Sequence, residues 1–115
     1  MSKQTNKQTM ERLKYSIYFA IDMGQTEDSH VNTYLYLLRE KMNELFNGYT
    51  LIESQGYWRH GKHMYQEDSY KLEIITHTDE EMYNTKVGVI CEFIKNEFNQ
   101  KAVIVTTETV NETLI

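Results

Sequence analysis

The sequence predicts an α+β fold with the element order β-α-β-β-α-β. Three observations carry this reading. Two segments repeat apolar residues at helical spacing, four have the alternation or composition of strands, and polar turn-forming residues separate them. The chain has 115 residues, enough for one domain with a single modest core. Residues 1–12 read as a flexible tail, and residues 13–115 as the domain.

The first strand is expected over Lys14–Asp22, where Tyr15, Ile17, Phe19 and Ile21 alternate. Gly24–Ser29 is polar and turn-like. A helix is expected over about Ser29–Asn47, because Val31, Tyr34, Leu35, Leu38, Met42, Leu45 and Phe46 form one apolar stripe. Gly48 is placed to stop it. The second strand is expected over Tyr49–Arg59 and the third over Gln66–Thr76, with a polar loop between them. In the third, Tyr70, Leu72 and Ile74 share the face toward the helices, and Glu67, Ser69, Lys71 and Glu73 share the other. A second helix is expected over Asp79–Phe98, with Thr78 and Glu81 at capping-box spacing. Its stripe is Met82, Tyr83, Val87, Ile90, Phe93, Ile94 and Phe98, and Asn99 can close it. Ala102–Thr107 reads as a fourth strand, with Glu108–Ile115 as a short extra edge strand.

This order is the ferredoxin-like split βαβ pattern. It implies a four-stranded antiparallel sheet with both helices on one face, a two-layer sandwich. The other face, carrying Ile52 and half-polar strands rich in tyrosine, calls for burial against further copies rather than open water. A homotrimer built around a central axis, as in PII-like proteins, is the expected assembly.

Composition narrows the function classes. Hydrophobic residues make up 40% and charged residues 25%, an ordinary globular balance. No apolar run is long enough to span a membrane. The first dozen residues have no hydrophobic segment, so no secretory signal is expected and the cytoplasm is the expected compartment. A single cysteine, Cys91, excludes an internal disulfide and is expected as a buried thiol on the second helix. Of 12 basic and 17 acidic side chains, four and one fall in residues 1–14, which leaves eight against sixteen, or −8, over the rest. Such a surface repels nucleic acid and favours a cationic ligand, although solubility alone also explains it.

Tyr57 in Gly56-Tyr57-Trp58-Arg59 and Glu67 in Gln66-Glu67-Asp68-Ser69 are the leading functional candidates. A phenol and a carboxylate near one hairpin suit a small cation. Plain structural roles stand beside this. Glu67 can pair with Lys71 along its own face or with Arg59 across the hairpin, and Tyr57 can be ordinary strand packing. His60 and His63 lack a companion cysteine, so their spacing alone makes no metal site. No complete phosphate-loop motif is present, because His63 stands where the Ser or Thr after Gly56-x4-Gly61-Lys62 would be needed.

Three pieces of the chain resemble the phage S-adenosylmethionine lyases, formerly called hydrolases. They are Glu53-Ser54 with Gly56-Tyr57-Trp58-Arg59, Glu67 opening an alternating strand, and Asn96-Glu97-Phe98-Asn99-Gln100 followed by Val103-Ile104-Val105. Together they cover about 52–109. The resemblance implies a PII-like homotrimer with active sites between subunits. It implies cleavage of S-adenosylmethionine to 5′-methylthioadenosine and homoserine lactone, without metal or organic cofactor. By position, Glu67 matches the family's active-site glutamate and Tyr57 its tyrosine. Asp68 stands where a second acid occurs. Glu108 and Trp58 are further substrate-binding candidates, although Trp58 and His60 match nothing in the family pattern.

The implied chemistry suits the residues. The substrate's own carboxylate is the nucleophile and the sulfonium is already a good leaving group, so neither a serine or cysteine nor a general acid is needed. Glu67 would hold the ammonium, and Tyr57 would bond the same end or flank the sulfonium with its ring. Two alternatives remain open at this level: attack by water, and a PII-like nucleotide sensor that binds without turnover.

Overall fold

The structure, a computed structural model, describes residues 8–21, 28–76, 80–98, 100 and 103–115, without the side chains at 8, 28–30, 58, 60, 65–67 and 80. The elements are β1 (Gln8–Ala20), α1 (Asp28–Leu45), β2 (Thr50–His60), β3 (His63–Ile75), α2 (Glu80–Glu97) and β4 (Ile104–Leu114). The expected order is present. The strands form one antiparallel sheet in the order β2-β3-β1-β4, the arrangement of a ferredoxin-like fold.

Both helices cover one face. Tyr15, Ile17 and Phe19 of β1 and Tyr70, Leu72 and Ile74 of β3 meet Val31, Leu35, Leu38, Met42 and Phe46 from α1 and its C-terminal end. Val87, Ile90, Ile94 and Phe98 complete the layer from α2 and the residue following it. These are the expected stripes, and they are buried because a period of 3.6 keeps them on one side of each helix. Met82 is the exception and stays exposed. Phe19 stacks on Tyr70 at 5.5 Å. The Tyr15 hydroxyl donates to Asn84 Oδ1 and ties β1 to α2. Cys91 is half-buried, and burial raises its thiol pKa.

Four boundaries differ from expectation. β1 begins at Gln8, so residues 8–12 are strand rather than tail. β4 is continuous to Leu114, without a separate edge strand after Thr107. These two differences have one cause: Gln8 pairs with Leu114 and each following residue of β1 with the matching residue of β4, up to Tyr18 with Ile104. The polar loop between β2 and β3 is a two-residue turn, Gly61-Lys62, with His60 paired to His63. Gly61 has φ 65°, the left-handed value that primed hairpin turns require at their first central position. α1 ends at Leu45, before Gly48, and its last helical bond runs from Phe46 N–H to Met42 C=O. The expected Gly24 turn, the Thr78 half of the capping box and Asn99 lie outside the described residues.

Two ribbons leave the sheet at opposite ends. β2 and β3 pair from Thr50↔Glu73 to His60↔His63, but β1 accompanies β3 only as far as Ala20↔Ser69. Residues 55–68 therefore project as a two-stranded hairpin. At the other end β3 stops at Ile75, opposite Lys14, and residues 8–13 continue with 109–114 as a second ribbon. Thr76 marks the divide. It is buried, its hydroxyl donates to Leu13 C=O at 3.0 Å, and its N–H donates to the same carbonyl at 2.9 Å. The ribbons stretch the molecule to 63 Å against 32 and 26 Å in the other directions.

Candidate functional site

The β2–β3 hairpin carries Tyr57, Trp58, Glu67 and Asp68, and its register decides which of them can act together. Tyr57 pairs with Gln66, Gln55 with Asp68, and Glu53 with Tyr70. Directly opposed residues share a face and successive residues alternate. Tyr57 and Asp68 therefore lie on the side of the sheet that the helices cover further along. Glu67 pairs with Gly56, and Trp58 with Tyr65. These residues belong to the open side, with Ser69, Lys71 and Glu73. Within one chain the tyrosine and the glutamate are on opposite sides of the ribbon.

Tyr57 is 61% exposed, and its hydroxyl donates to Gln55 Oε1 at 3.0 Å. It has no place in the core, so strand packing within the chain does not account for it. The side chains of Glu67 and Trp58 lie outside the described set. Of the two structural partners considered for Glu67, Lys71 pairs with Glu73 at 3.0 Å, and Arg59 is exposed near the hairpin tip.

Glu108 stands apart from the hairpin. It lies in the middle of β4 opposite Lys14, whose ammonium it holds at 3.0 Å. Asp68 is seven positions along β3 from the Ile75 level, which puts Glu108 roughly 20 Å from the hairpin residues of its own chain. Lys14 also reaches Glu73 at 3.6 Å. The result is a ladder on the open face in which Lys14 joins β3 to β4 through two carboxylates. Its largest electrostatic effect is the Glu108 hydrogen bond, which raises the Lys14 pKa. Glu73 is lowered, first by its hydrogen bond from Lys71 and then by the charges of Lys14 and Lys71. Around this ladder the open face exposes Tyr18 and Ile104, with Ile52 half-buried. The face is mixed rather than greasy, and the charges of the ladder are matched to one another.

A small hollow on the helix side of the hairpin base went unnoticed in the sequence. It has a volume of about 290 Å³ and is lined by Glu53, Gln55, Asp68 and Tyr70 with Ser54 and Ser69. Burial raises the Tyr70 phenol pKa, and the charges of Glu53 and Asp68 add to the rise. The grouping depends on the β2–β3 register, which brings residues 13 to 17 positions apart side by side. A cavity of about 510 Å³ at the other end of the sheet, between the end of α1 and the start of α2, contains none of the expected site residues. Among the described residues no group of three His, Cys, Asp or Glu side chains is arranged to hold a metal. No described helix is long and apolar enough to cross a membrane.

A family model described as a protein of unknown function, DUF3574, matches residues 14–113. No curated protein matches the chain. Among solved structures, a phage SAM lyase in complex with S-methyl-5′-thioadenosine is similar with a TM-score of 0.62 and 15% identity, covering 90% of this chain and 88% of that one. A putative PII-like signaling protein from Thermus thermophilus is similar with a TM-score of 0.51 and 21% identity, covering 90% and 91%. The GlnK–ATP complex of B. subtilis gives 0.56 and 8%, covering 87% and 82%. At these identities the likeness is one of fold, and it spans nearly the whole chain.

Proposed function

The chain belongs to the DUF3574 family, and we propose that it is an S-adenosylmethionine lyase working as a homotrimer with active sites between subunits. The observation that carries this reading is the split of Tyr57 and Glu67 across the two faces of one hairpin. A ligand touched by both needs the open face of one copy and the helix-side face of another. The fold shared with a phage SAM lyase supports the reading, as does the position of both residues in the motif order given above. Isolated two-stranded ribbons are marginal in water, so the projecting hairpin favours a partner copy.

In the proposed reaction, a carboxylate oxygen of the substrate attacks the carbon bonded to sulfur, two bonds beyond Cα. The new C–O bond closes a five-membered lactone, the C–S bond breaks, and its electron pair leaves on sulfur as a neutral thioether. The products are homoserine lactone, still carrying its ammonium, and 5′-methylthioadenosine. No proton moves, and no nucleophile or cofactor comes from the protein. The protein must hold the methionine tail curled. Positioning of this kind is worth roughly 7–11 kcal/mol in favourable cases.

Glu67 holds the ammonium and sets the direction of the tail. Tyr57 flanks the sulfonium with its ring or bonds the same end. Asp68 and Trp58 line the substrate from the two faces. Glu108 can join them only from another subunit. The transition state cancels charge between carboxylate and sulfonium, so a site of low dielectric with few cations near the carboxylate speeds it. In a cytoplasm the outcome is depletion of the methyl donor, which blunts restriction and methylation that depend on it.

The test is direct. Purified protein is incubated with S-adenosylmethionine without added metal, and methylthioadenosine is followed by chromatography. Product above the spontaneous background supports the lyase. Homoserine in place of its lactone points to water as the nucleophile. Substrate bound but intact points to a PII-like sensor and removes the lyase.

A further inference from the structure

The cavity at the far end of the sheet from the hairpin has no part in the proposed reaction. The end of α1, the first turns of α2, the start of β2 and the end of β3 line it, together with Glu112 of β4. Its volume of about 510 Å³ is that of a small-molecule site. Part of the lining is aromatic. The rings of Phe46 and Tyr83 are stacked at 6.1 Å, and Tyr49 adds a third ring. Met82, the exposed member of the α2 stripe at 40%, lines the same space. Its thioether is a soft partner for a flat ring.

The charges around the cavity do not balance, which is a separate observation from its shape. Both carboxylates in the lining have cations of their own. Glu73 is held by Lys71 at 3.0 Å and by Lys14 at 3.6 Å, and Glu112 by Arg12 at 3.5 Å. Lys86 also lines the cavity and has no ion pair among the described residues. Arg39, Arg59 and Lys62 share that lack, but all three are exposed, whereas Lys86 is half-buried. An ammonium drawn partly out of water without a counter-ion is costly, and a bound anion offsets that cost. Lys86 follows Met82 by four positions and Tyr83 by three, so its side chain rises from the same side of α2 as the thioether and the ring.

We infer that this cavity binds a small aromatic carboxylate, with the anionic group on the Lys86 ammonium and the ring against Phe46, Tyr83 and Met82. One uncompensated positive charge matches a monoanion. A nucleotide would bring several negative charges to a single lysine, in a chain without a complete phosphate loop. A purely aliphatic acid would leave the stacking surface of the rings unused. A metal cation would have to draw Glu73 and Glu112 away from the cations that hold them. Thr50 and Ile75 stand at the opposite end of β2 and β3 from Tyr57 and Asp68. The site is therefore separate from the hairpin, and it holds whether or not the chain cleaves S-adenosylmethionine.

Methionine labelled with ¹³C at its methyl group reports on the cavity by NMR in the full chain. The Met82 signal is assigned by Met82→Leu, and Met64 on the hairpin serves as an internal reference. The probe is phenylacetate. Phenylacetamide keeps the ring without the charge, and acetate keeps the charge without the ring. The expected result is a saturable shift of the Met82 signal with phenylacetate while Met64 stays still. Affinity should fall about tenfold for phenylacetamide, and about tenfold for phenylacetate in Lys86→Met, which keeps the apolar stem and removes the charge. Lys86→Arg should keep most of it. Circular dichroism checks the fold of each variant, and Lys86→Gln replaces Lys86→Met should the latter not fold. A Met82 signal indifferent to phenylacetate overturns the site. So does a shift shared equally by Met64, an equal response to acetate or to phenylacetamide, or wild-type affinity in the folded variant that lacks the charge.

Discussion

Tyr57 and Glu67 are one step out of register across the hairpin, Tyr57 opposite Gln66 and Glu67 opposite Gly56. A shared ligand must therefore bridge two chains. Tyr57→Phe and Glu67→Gln proteins, each impaired alone, are expected to regain activity when co-expressed. With random mixing in a trimer, about a quarter of sites combine an intact tyrosine from one chain with an intact glutamate from the next. Methylthioadenosine formation measures the recovery. Zero recovery in mixed trimers places both residues in one subunit's site, against the present reading.

Glu67→Gln keeps the size of the side chain and removes its charge. A charge-assisted contact to an ammonium contributes roughly 1.5–3 kcal/mol. Turnover is expected to fall by about 10–150-fold, with the midpoint of thermal unfolding nearly unchanged. Full turnover in this variant would leave Glu67 without a role.

Lys14 joins Glu73 and Glu108 on the open face, and the pH dependence of that contact has a definite sign. The Glu73 pKa is lowered from 4.5 on folding, so its contribution is complete above that value and is lost as pH falls through the lower folded one. The Lys14 pKa is raised from 10.5, so its contribution is complete below that value and is lost as pH rises through the higher folded one. Lys14→Met should lower Tm by about 2–5 °C near neutrality. The gap to wild type should close in acid and again in strong alkali. A gap independent of pH would mean that Lys14 acts through packing.

Leu38 is fully buried between the helices and the sheet. Leu38→Ala should cost about 2–5 kcal/mol in denaturant unfolding. Gly61→Ala touches no other atom but forces a side chain into φ 65°, at a cost of about 1–2 kcal/mol. The comparison separates a cost of packing from a cost of backbone conformation.

The helices and the inner strands were legible because their burial is periodic. Leu35, Leu38 and Met42 announce a helix by themselves, as Tyr70, Leu72 and Ile74 announce a strand. Gln8–Leu13 has no such pattern. It is a strand because Thr109–Leu114 continues opposite it, with Thr9 and Thr113 bonded through their hydroxyls at 2.7 Å, and that partner is about a hundred residues away. The faces of Tyr57 and Glu67 were each readable from alternation. Their relation to each other was not, because it depends on the number of residues in the turn. Gly61-Lys62 has the glycine-first composition of a two-residue hairpin, so this one signal would have fixed the register. Glu53 beside Tyr70 follows from the same register.

The ribbons beyond Ser69 and Lys14 have a consequence for amide hydrogen exchange. Where β1 and β3 run side by side in the body of the sheet, each of their backbone N–H groups is bonded to one neighbouring strand or the other. In each ribbon the outward-pointing half has no neighbouring strand among the described residues, and it exchanges freely unless another copy covers it. Protection at 55–68 and 109–114 should therefore rise with protein concentration while that of Leu72 and Ile17 stays constant. Exchange rates along the two ribbons thus become a map, residue by residue, of where neighbouring chains touch.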